Sequence, residues 1–314
     1  MDNNIKVSIL MPVYKVEPYL ERMLHSVFTQ TYSNIEYVFV DDCSPDHSLK
    51  VLTNVISKHG IGKDKYVIVK HPQNEGIAVS RSDCIAKAKG DYVFFVDSDD
   101  WIESDTVEHL VAATKDGKID IVGCDYMKEF LSGKSTYHHE NYSDSCRENL
   151  VRCLNYDIST ALWKLLIRRS LFDCFPISRI NIGEDYIISI KLYYYAESFV
   201  SLPQAFYHYV QYNENRLSFQ KLRSIEDHVK CVNEVESFLR ENGLYDDRIC
   251  NGLLLRKFNI KSNFVLDKRF LNEKAFNNTF PEAKSIWHKM NYSKKECLKF
   301  WLAENGLFNL LKLL

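Results

Sequence analysis

Three acidic groupings hold the residue types from which chemistry could be built. Asp97-Ser98-Asp99-Asp100 follows directly on the apolar run from Tyr92 to Val96. Carboxylates at the carboxyl end of a strand face the crevice where open α/β sheets bind ligands, and hard oxygen donors there suit Mg²⁺ or Mn²⁺ with a phosphate. The same acids also suit a plainer task, capping the next helix, whose acidic start Ser104-Asp105 continue. An EF-hand reading of Asp97, Asp99, Asp105 and Glu108 fails, because Ile102 stands where that loop needs glycine and Trp101 where it needs a ligand. Asp41-Asp42 close a second apolar run, Ile35 to Val40. Glu184-Asp185 open a helical stretch that reaches about Ala196. There they either complement the helix dipole, worth ~0.3–1 kcal/mol, or supply a general base facing the same crevice.

Two aromatic settings add candidates. His208 lies between Tyr207 and Tyr209, as a packed, hydrogen-bonded core residue or as a ligand. Trp163 reads as a core ring beside a solvated charge on Lys164, with acceptor binding as its functional alternative.

The elements that must position these residues alternate. Strands are expected at Ile5 to Met11, Ile35 to Val40, Tyr66 to Lys70, Tyr92 to Val96 and Ile119 to Gly123, with helices at Glu17 to Gln30, Ser48 to Lys58, Ile77 to Ala88 and Ser104 to Thr114. Such alternation implies a mainly parallel sheet with helices on both faces. Gly90 reads as the left-handed residue that stops the third helix. Cys124 to His139 reads as a hairpin or lid edge turning at Gly133-Lys134, and Cys146 to Leu154 as a helix. Val200 to Leu202 and Ala205 to Gln211 look extended. Beyond Arg216 the chain reads as helical, at Ser224 to Arg240, Asp247 to Leu266, Pro281 to Met290 and Lys294 to the end. The domain expectation is therefore residues 1–215 as an α/β domain and 216–314 as a helical extension.

The turn chemistry excludes a dinucleotide fold. No GxGxxG follows the first strand and no GxxxxGK[ST] occurs, so a nucleotide's diphosphate would be held through a metal, while an Asp could accept from a pyrimidine N–H. The chain of 314 residues is 46% hydrophobic and 26% charged, enough for one large domain with an extension or for two. Nine cysteines without a CxxC pair, and no secretory signal ahead of Ile5, fit reduced thiols in the cytosol and argue against zinc. No apolar run is long enough to span a bilayer. Residues 1–215 hold 22 basic against 30 acidic side chains, whereas 216–314 hold 18 against 12. The acidic part argues against nucleic acid. In the basic part, Lys294, Lys295 and Lys299 precede a Trp, Phe and Leu cluster that reads either as a packed cap or as an anchor on anionic lipid.

Taken in order, MPVY, VDDCS, HPQNEGIAVSRSDCIAKAKGDY, VDSDDW and GEDY resemble the family 2 glycosyltransferases of the GT-A fold over about residues 5 to 216. The resemblance implies a Rossmann-like catalytic domain and a UDP-sugar donor. It implies that Asp97 and Asp99 form an Asp-x-Asp motif reaching the donor ribose and Mn²⁺ or Mg²⁺, with Asp99 the direct metal ligand. Pro12, Tyr14 and the Asp41-Asp42 pair then match the nucleotide pocket, one Asp of the pair reading uracil. Asn74, Gly76 and Arg81 fall on the donor-side loop and helix, Arg81 near phosphate. Asp185 matches the catalytic base of inverting members, with Glu184 beside it for the acceptor, and His208 matches a position that touches metal or diphosphate. The expected reaction is one displacement with inversion, moving a hexose to a saccharide acceptor, lipid-linked, in surface polysaccharide synthesis at the inner face of the cytoplasmic membrane. A sugar nucleotidyltransferase and a catalytically inactive nucleotide-sugar-binding subunit are the rivals.

Overall fold

A computed structural model of the chain describes residues 5–213 and 225–314. These form two compact units: one holds the residues up to Cys153 and 157–213, the other Leu154–Tyr156 and the residues from Ile225 on. The expected boundary at 215/216 lies outside the described residues, as does the expected helix start at Ser224.

The first unit opens with β1 (Val7–Val13), α1 (Glu17–Phe28), β2 (Ile35–Asp41), α2 (Ser48–Lys58), β3 (Tyr66–Lys70), α3 (Ile77–Lys87) and β4 (Tyr92–Phe95). Every residue of β1, β2 and β4 is buried, which is why these segments read as mostly apolar runs, interrupted by Ser8 in β1 and by Glu36 and Asp41 in β2. β1 lies parallel between β2 and β4, with Val13 opposite Asp41 and Leu10 opposite Phe95. This register brings the carboxyl ends of three strands, and the acids that follow two of them, to one edge. Gly90 does not adopt the left-handed conformation expected of it. It is required for space, since a Cβ there would fall 2.7 Å from the Ser8 amide nitrogen.

Next come β5 (Trp101–Ile102), α4 (Thr106–Ala113), β6 (Ile121–Glu129), β7 (Ser135–His138), α5 (Cys146–Leu154), β8 (Leu165–Arg168), α6 (Glu184–Tyr195) and β9 (Phe199–Val210). The sheet runs β3-β2-β1-β4-β8-β6-β9-β5, with β7 paired to β6 as the expected hairpin. β3-β2-β1-β4 form a parallel run; β8 is antiparallel to both β4 and β6, β6 is parallel to β9, and β5 is antiparallel to β9. The two extended stretches expected around residue 203 are one strand, β9, interrupted by a register shift against β6 between Cys124 and Tyr126. The fold is thus a mixed sheet flanked by helices.

The second unit contains α7 (Ile225–Glu241), α8 (Asp247–Leu266), α9 (Glu273–Asn278), α10 (Lys294–Glu304) and α11 (Phe308–Leu311). The helix expected over Pro281 to Met290 is two 3-10 turns instead, Pro281–Ala283 and Ile286–Lys289. The last helix breaks at Gly306, which has positive φ. Among the described residues, no helix is long and apolar enough to cross a membrane.

Candidate active site

At the edge set by β1, β2 and β4, an arginine gathers the acids. Arg81 stands on α3 and is only 2% exposed. Its Nη2 lies 3.3 Å from Asp97 Oδ1, beyond β4, and 3.4 Å from Asp185 Oδ1, in the first turn of α6; its Nε lies 3.5 Å from Glu184 Oε1. Two carboxyl groups 88 positions apart in the chain are thereby held on one guanidinium nitrogen. One cation facing three carboxylates leaves the cluster electron-rich. Burial pushes the Glu184 and Asp185 carboxyls up; Asp185 and Asp97 add to the rise at Glu184, and Arg81 opposes it at both. Arg81 Nε and Asp185 Oδ1 are held by these ion pairs without a hydrogen bond, and Arg81 Nη1 is buried with no hydrogen-bond partner. A buried charged cluster with perturbed carboxyls at a strand end is a candidate functional site.

The placement of α3 depends on Asp42. Asp42 Oδ1 accepts from the Glu75 amide at 2.7 Å and bonds His71 Nδ1 at 2.7 Å, while Oδ2 accepts from the Gly76 amide at 2.9 Å. His71 Nε2 reaches Asp83 Oδ2 on α3 at 2.9 Å. Gly76 precedes the helix with φ +92, and Asn181 Oδ1 accepts from the Ala78 amide at 3.0 Å. Asp41 is also buried and accepts from the Ser44 amide at 3.2 Å. Pro12 is buried at the end of β1, Tyr14 beyond it is exposed, and Asn74 is exposed on the loop before α3.

The acidic turn after β4 is not uniform. Asp97 and Asp99 are partly exposed, whereas Asp100 is fully buried. Asp99 Oδ2 accepts from Asn213 Nδ2 at 2.8 Å, and the Asp99 carbonyl from Arg22 Nη2 at 3.3 Å. Asp100 is no helix cap: its Oδ2 accepts from the Tyr207 hydroxyl at 2.7 Å and its Oδ1 from the Val210 amide at 2.8 Å. Burial, with Asp99 and Asp97 adding repulsion, holds its carboxyl well above the usual range. Two hard carboxylates supply part of a six-coordinate shell, and a donor diphosphate and water would supply the rest, so Asp97 and Asp99 fit Mg²⁺ or Mn²⁺ bound with a nucleotide. Among the described residues, no group of three or more His, Cys, Asp or Glu could hold a metal by protein ligands alone.

Other expected residues are held in protein contacts. Arg81 faces carboxylates, with its Nη1 left without a hydrogen-bond partner. Glu184 is buried against Arg81 rather than turned to an acceptor. Trp163 is a core ring, stacked on Tyr207 at 4.3 Å and edge-on to Tyr126 at 4.9 Å, so no face is open to an acceptor. Its neighbour Lys164 is not solvated; it is fully buried, with Nζ 2.7 Å from Glu140 Oε1. His208 has Glu129 on Nδ1 at 2.7 Å and Glu103 on Nε2 at 2.8 Å, and its ring stacks on Trp101 at 3.4 Å. Both nitrogens being engaged, it offers no ligand position to a metal. Asn181, Tyr207 and Asn213 escaped the sequence reading. The contiguous ring run Phe206-Tyr207-His208-Tyr209 is the available signal, and it points to His208.

Residues 8–175 match the family described as Glycosyl transferase family 2. The chain is 27% identical over 250 residues to the putative glycosyltransferase EpsH of Bacillus subtilis (strain 168), which spans 77% of this chain and 71% of that protein. It is 33% identical over 215 residues to the glycosyltransferase GlyA of Streptococcus pneumoniae, 65% of this chain but only 30% of that longer protein. In fold it resembles the crystal structure of S. aureus TarS 1-349 in complex with UDP-GlcNAc, with a TM-score of 0.73 at 18% identity over 97% of this chain and 89% of the other.

Proposed function

The chain belongs to glycosyl transferase family 2, and from that premise we propose that it moves a hexose from a UDP-sugar to a saccharide acceptor in one displacement that inverts the anomeric carbon. Family membership removes the nucleotidyltransferase rival, and the intact acids at Asp97, Asp99 and Asp185 count against a lapsed enzyme. One observation carries the reading: Arg81 Nη2 stands within 3.4 Å of both a strand-end carboxylate on the donor side and the helix-start carboxylate of Asp185.

In this reading Pro12, Tyr14 and the Asp41-Asp42 pair form the wall for the nucleotide base, and the loop bearing Asn74 lies on the donor side. Asp99, with Asp97 beside it, would hold Mg²⁺ or Mn²⁺, and such an ion would offset the charge developing on the departing diphosphate. Asp185 takes the proton of the acceptor hydroxyl as that oxygen bonds to the anomeric carbon and the carbon–phosphate oxygen bond breaks, UDP leaving with the electron pair. A positioned base of this kind contributes ~10²–10⁴-fold. The UDP donor is supported by TarS, solved with UDP-GlcNAc on the same fold. A lipid-linked acceptor at the inner face of the cytoplasmic membrane is supported by the basic, apolar surface of α10 and α11.

The test is turnover of a panel of UDP-sugars with Mn²⁺ or Mg²⁺. Asp99→Ala should abolish turnover. Asp185→Asn should keep donor binding and lose at least 10²-fold in transfer. Transfer retained by Asp185→Asn removes it as the base, and no UDP-sugar turnover by the wild type removes the reading.

A further inference from the structure

We infer that Tyr207 is a positioning residue for the metal-binding turn, a strut from β9 that fixes the pitch of Asp97 and Asp99; the inference rests on the donor reading above. The Tyr207 side chain is fully buried, 110 positions from Asp97, and its hydroxyl sits inside the turn. It accepts from the Asp97 amide at 3.0 Å and donates to Asp100 Oδ2 at 2.7 Å. The Asp100 amide closes the turn on the Asp97 carbonyl at 3.0 Å, and Asp100 Oδ1 takes the Val210 amide at 2.8 Å. One hydroxyl and one buried carboxyl therefore tie both ends of the Asp97–Asp100 turn to β9. Immediately past the turn, Trp101 pairs with His208 and Ile102 with Tyr207. On the opposite side the Ser98 hydroxyl donates to the Pro12 carbonyl of β1.

This leaves the turn little freedom, while the two carboxylates proposed to meet the donor project from it into partial exposure. The ring is anchored separately, by its stack on Trp163. Packing and hydroxyl can therefore be tested apart. Removing the hydroxyl alone leaves the Asp97 amide and Asp100 Oδ2 each without this partner, and the turn can relax away from the pitch a divalent cation requires.

The experiment measures Mn²⁺–UDP binding by titration calorimetry on the full chain, well below each variant's melting temperature. Tyr207→Phe should weaken binding about tenfold, the equivalent of roughly one buried hydrogen bond. Asp100→Asn, which still accepts from the Val210 amide and can bond the Tyr207 oxygen, should stay near wild type; Asp100→Ala, which loses the Tyr207 and Val210 bonds together, should weaken binding at least as much as Tyr207→Phe. Wild-type affinity in Tyr207→Phe, whatever its melting temperature, overturns the strut. If Tyr207→Phe does not fold, equal binding by Asp100→Asn and Asp100→Ala overturns it instead. No binding by the wild type would sink the donor reading itself, which keeps the two failures distinct.

Discussion

A base is useful only while it is ionised, and Asp185 is placed so that its ionisation is hard-won. Burial raises its carboxyl, Arg81 opposes that rise, and the Asp97 charge adds to it. With a folded pKa above the usual aspartate value of about 4, protonation sets in at higher pH than for a solvated aspartate. The rate should accordingly fall as pH falls through that raised pKa and be fully present above it. In a profile of kcat/KM against pH, the acid limb should lie above the ordinary aspartate range. Arg81→Gln removes the opposing charge, so its limb should move to still higher pH while activity drops at neutrality. A limb near pH 4 in the wild type, or one that Arg81→Gln leaves in place, would contradict this account. Glu184 shares the cluster, so the limb belongs to the pair.

What brings Arg81 to these carboxylates is the start of α3, and there the backbone itself is the constraint. Gly76 combines φ +92 with ψ 171, a region only glycine enters readily, and a Cβ would lie 2.3 Å from the Asn181 side chain that caps the helix. Gly76→Ala should cost ~1–3 kcal/mol in backbone strain alone and displace Asn181 or the helix start. Thermal unfolding should show a lowered melting temperature with a disproportionate loss of transfer; an unchanged melting temperature and rate would refute it. The legibility of each element follows from the range of its contacts. β1, β2 and β4 are buried throughout, so their seven, seven and four residues announce themselves as apolar runs, and the acids after β2 and β4 could be read as strand-end acids. β8 could not be read this way: its four residues sit inside ALWKLLIRRSLF, where nothing separates a strand from a helix. The antiparallel insertion of β8 between β4 and β6 is hidden with it. Tyr207 and Asn181 were silent for a related reason, because their partners lie 110 and 103 positions away.

At the scale of the whole molecule, charge and exposed apolar surface coincide in the second unit. Residues 216–314 carry 18 basic against 12 acidic side chains. Within α10, Lys294, Leu298 and Trp301 recur at helical spacing on one exposed face, Leu298 being 48% and Trp301 50% exposed. Leu307, Leu310 and Leu313 continue an exposed stripe through α11, flanked by Lys312. The opposite side is committed to packing: Phe300, Leu302 and Ala303 are buried, and a Ser293–Glu296 capping box fixes the start of α10. An exposed stripe of Leu and Trp ringed by lysines is complementary to an anionic bilayer, where the rings and aliphatic chains enter the headgroup layer and the ammonium groups meet phosphate. The protein should therefore sediment with vesicles containing anionic phospholipid and not with purely zwitterionic ones, and raised salt should release it. Leu298→Ser with Trp301→Ser should abolish vesicle binding, whereas their effect on transfer to a soluble acceptor analogue should be small, since neither residue belongs to the acidic site. Equal sedimentation of wild type and double variant, or concentration-dependent self-association that the double variant loses in the absence of lipid, would assign the stripe to packing between protein surfaces rather than to a membrane.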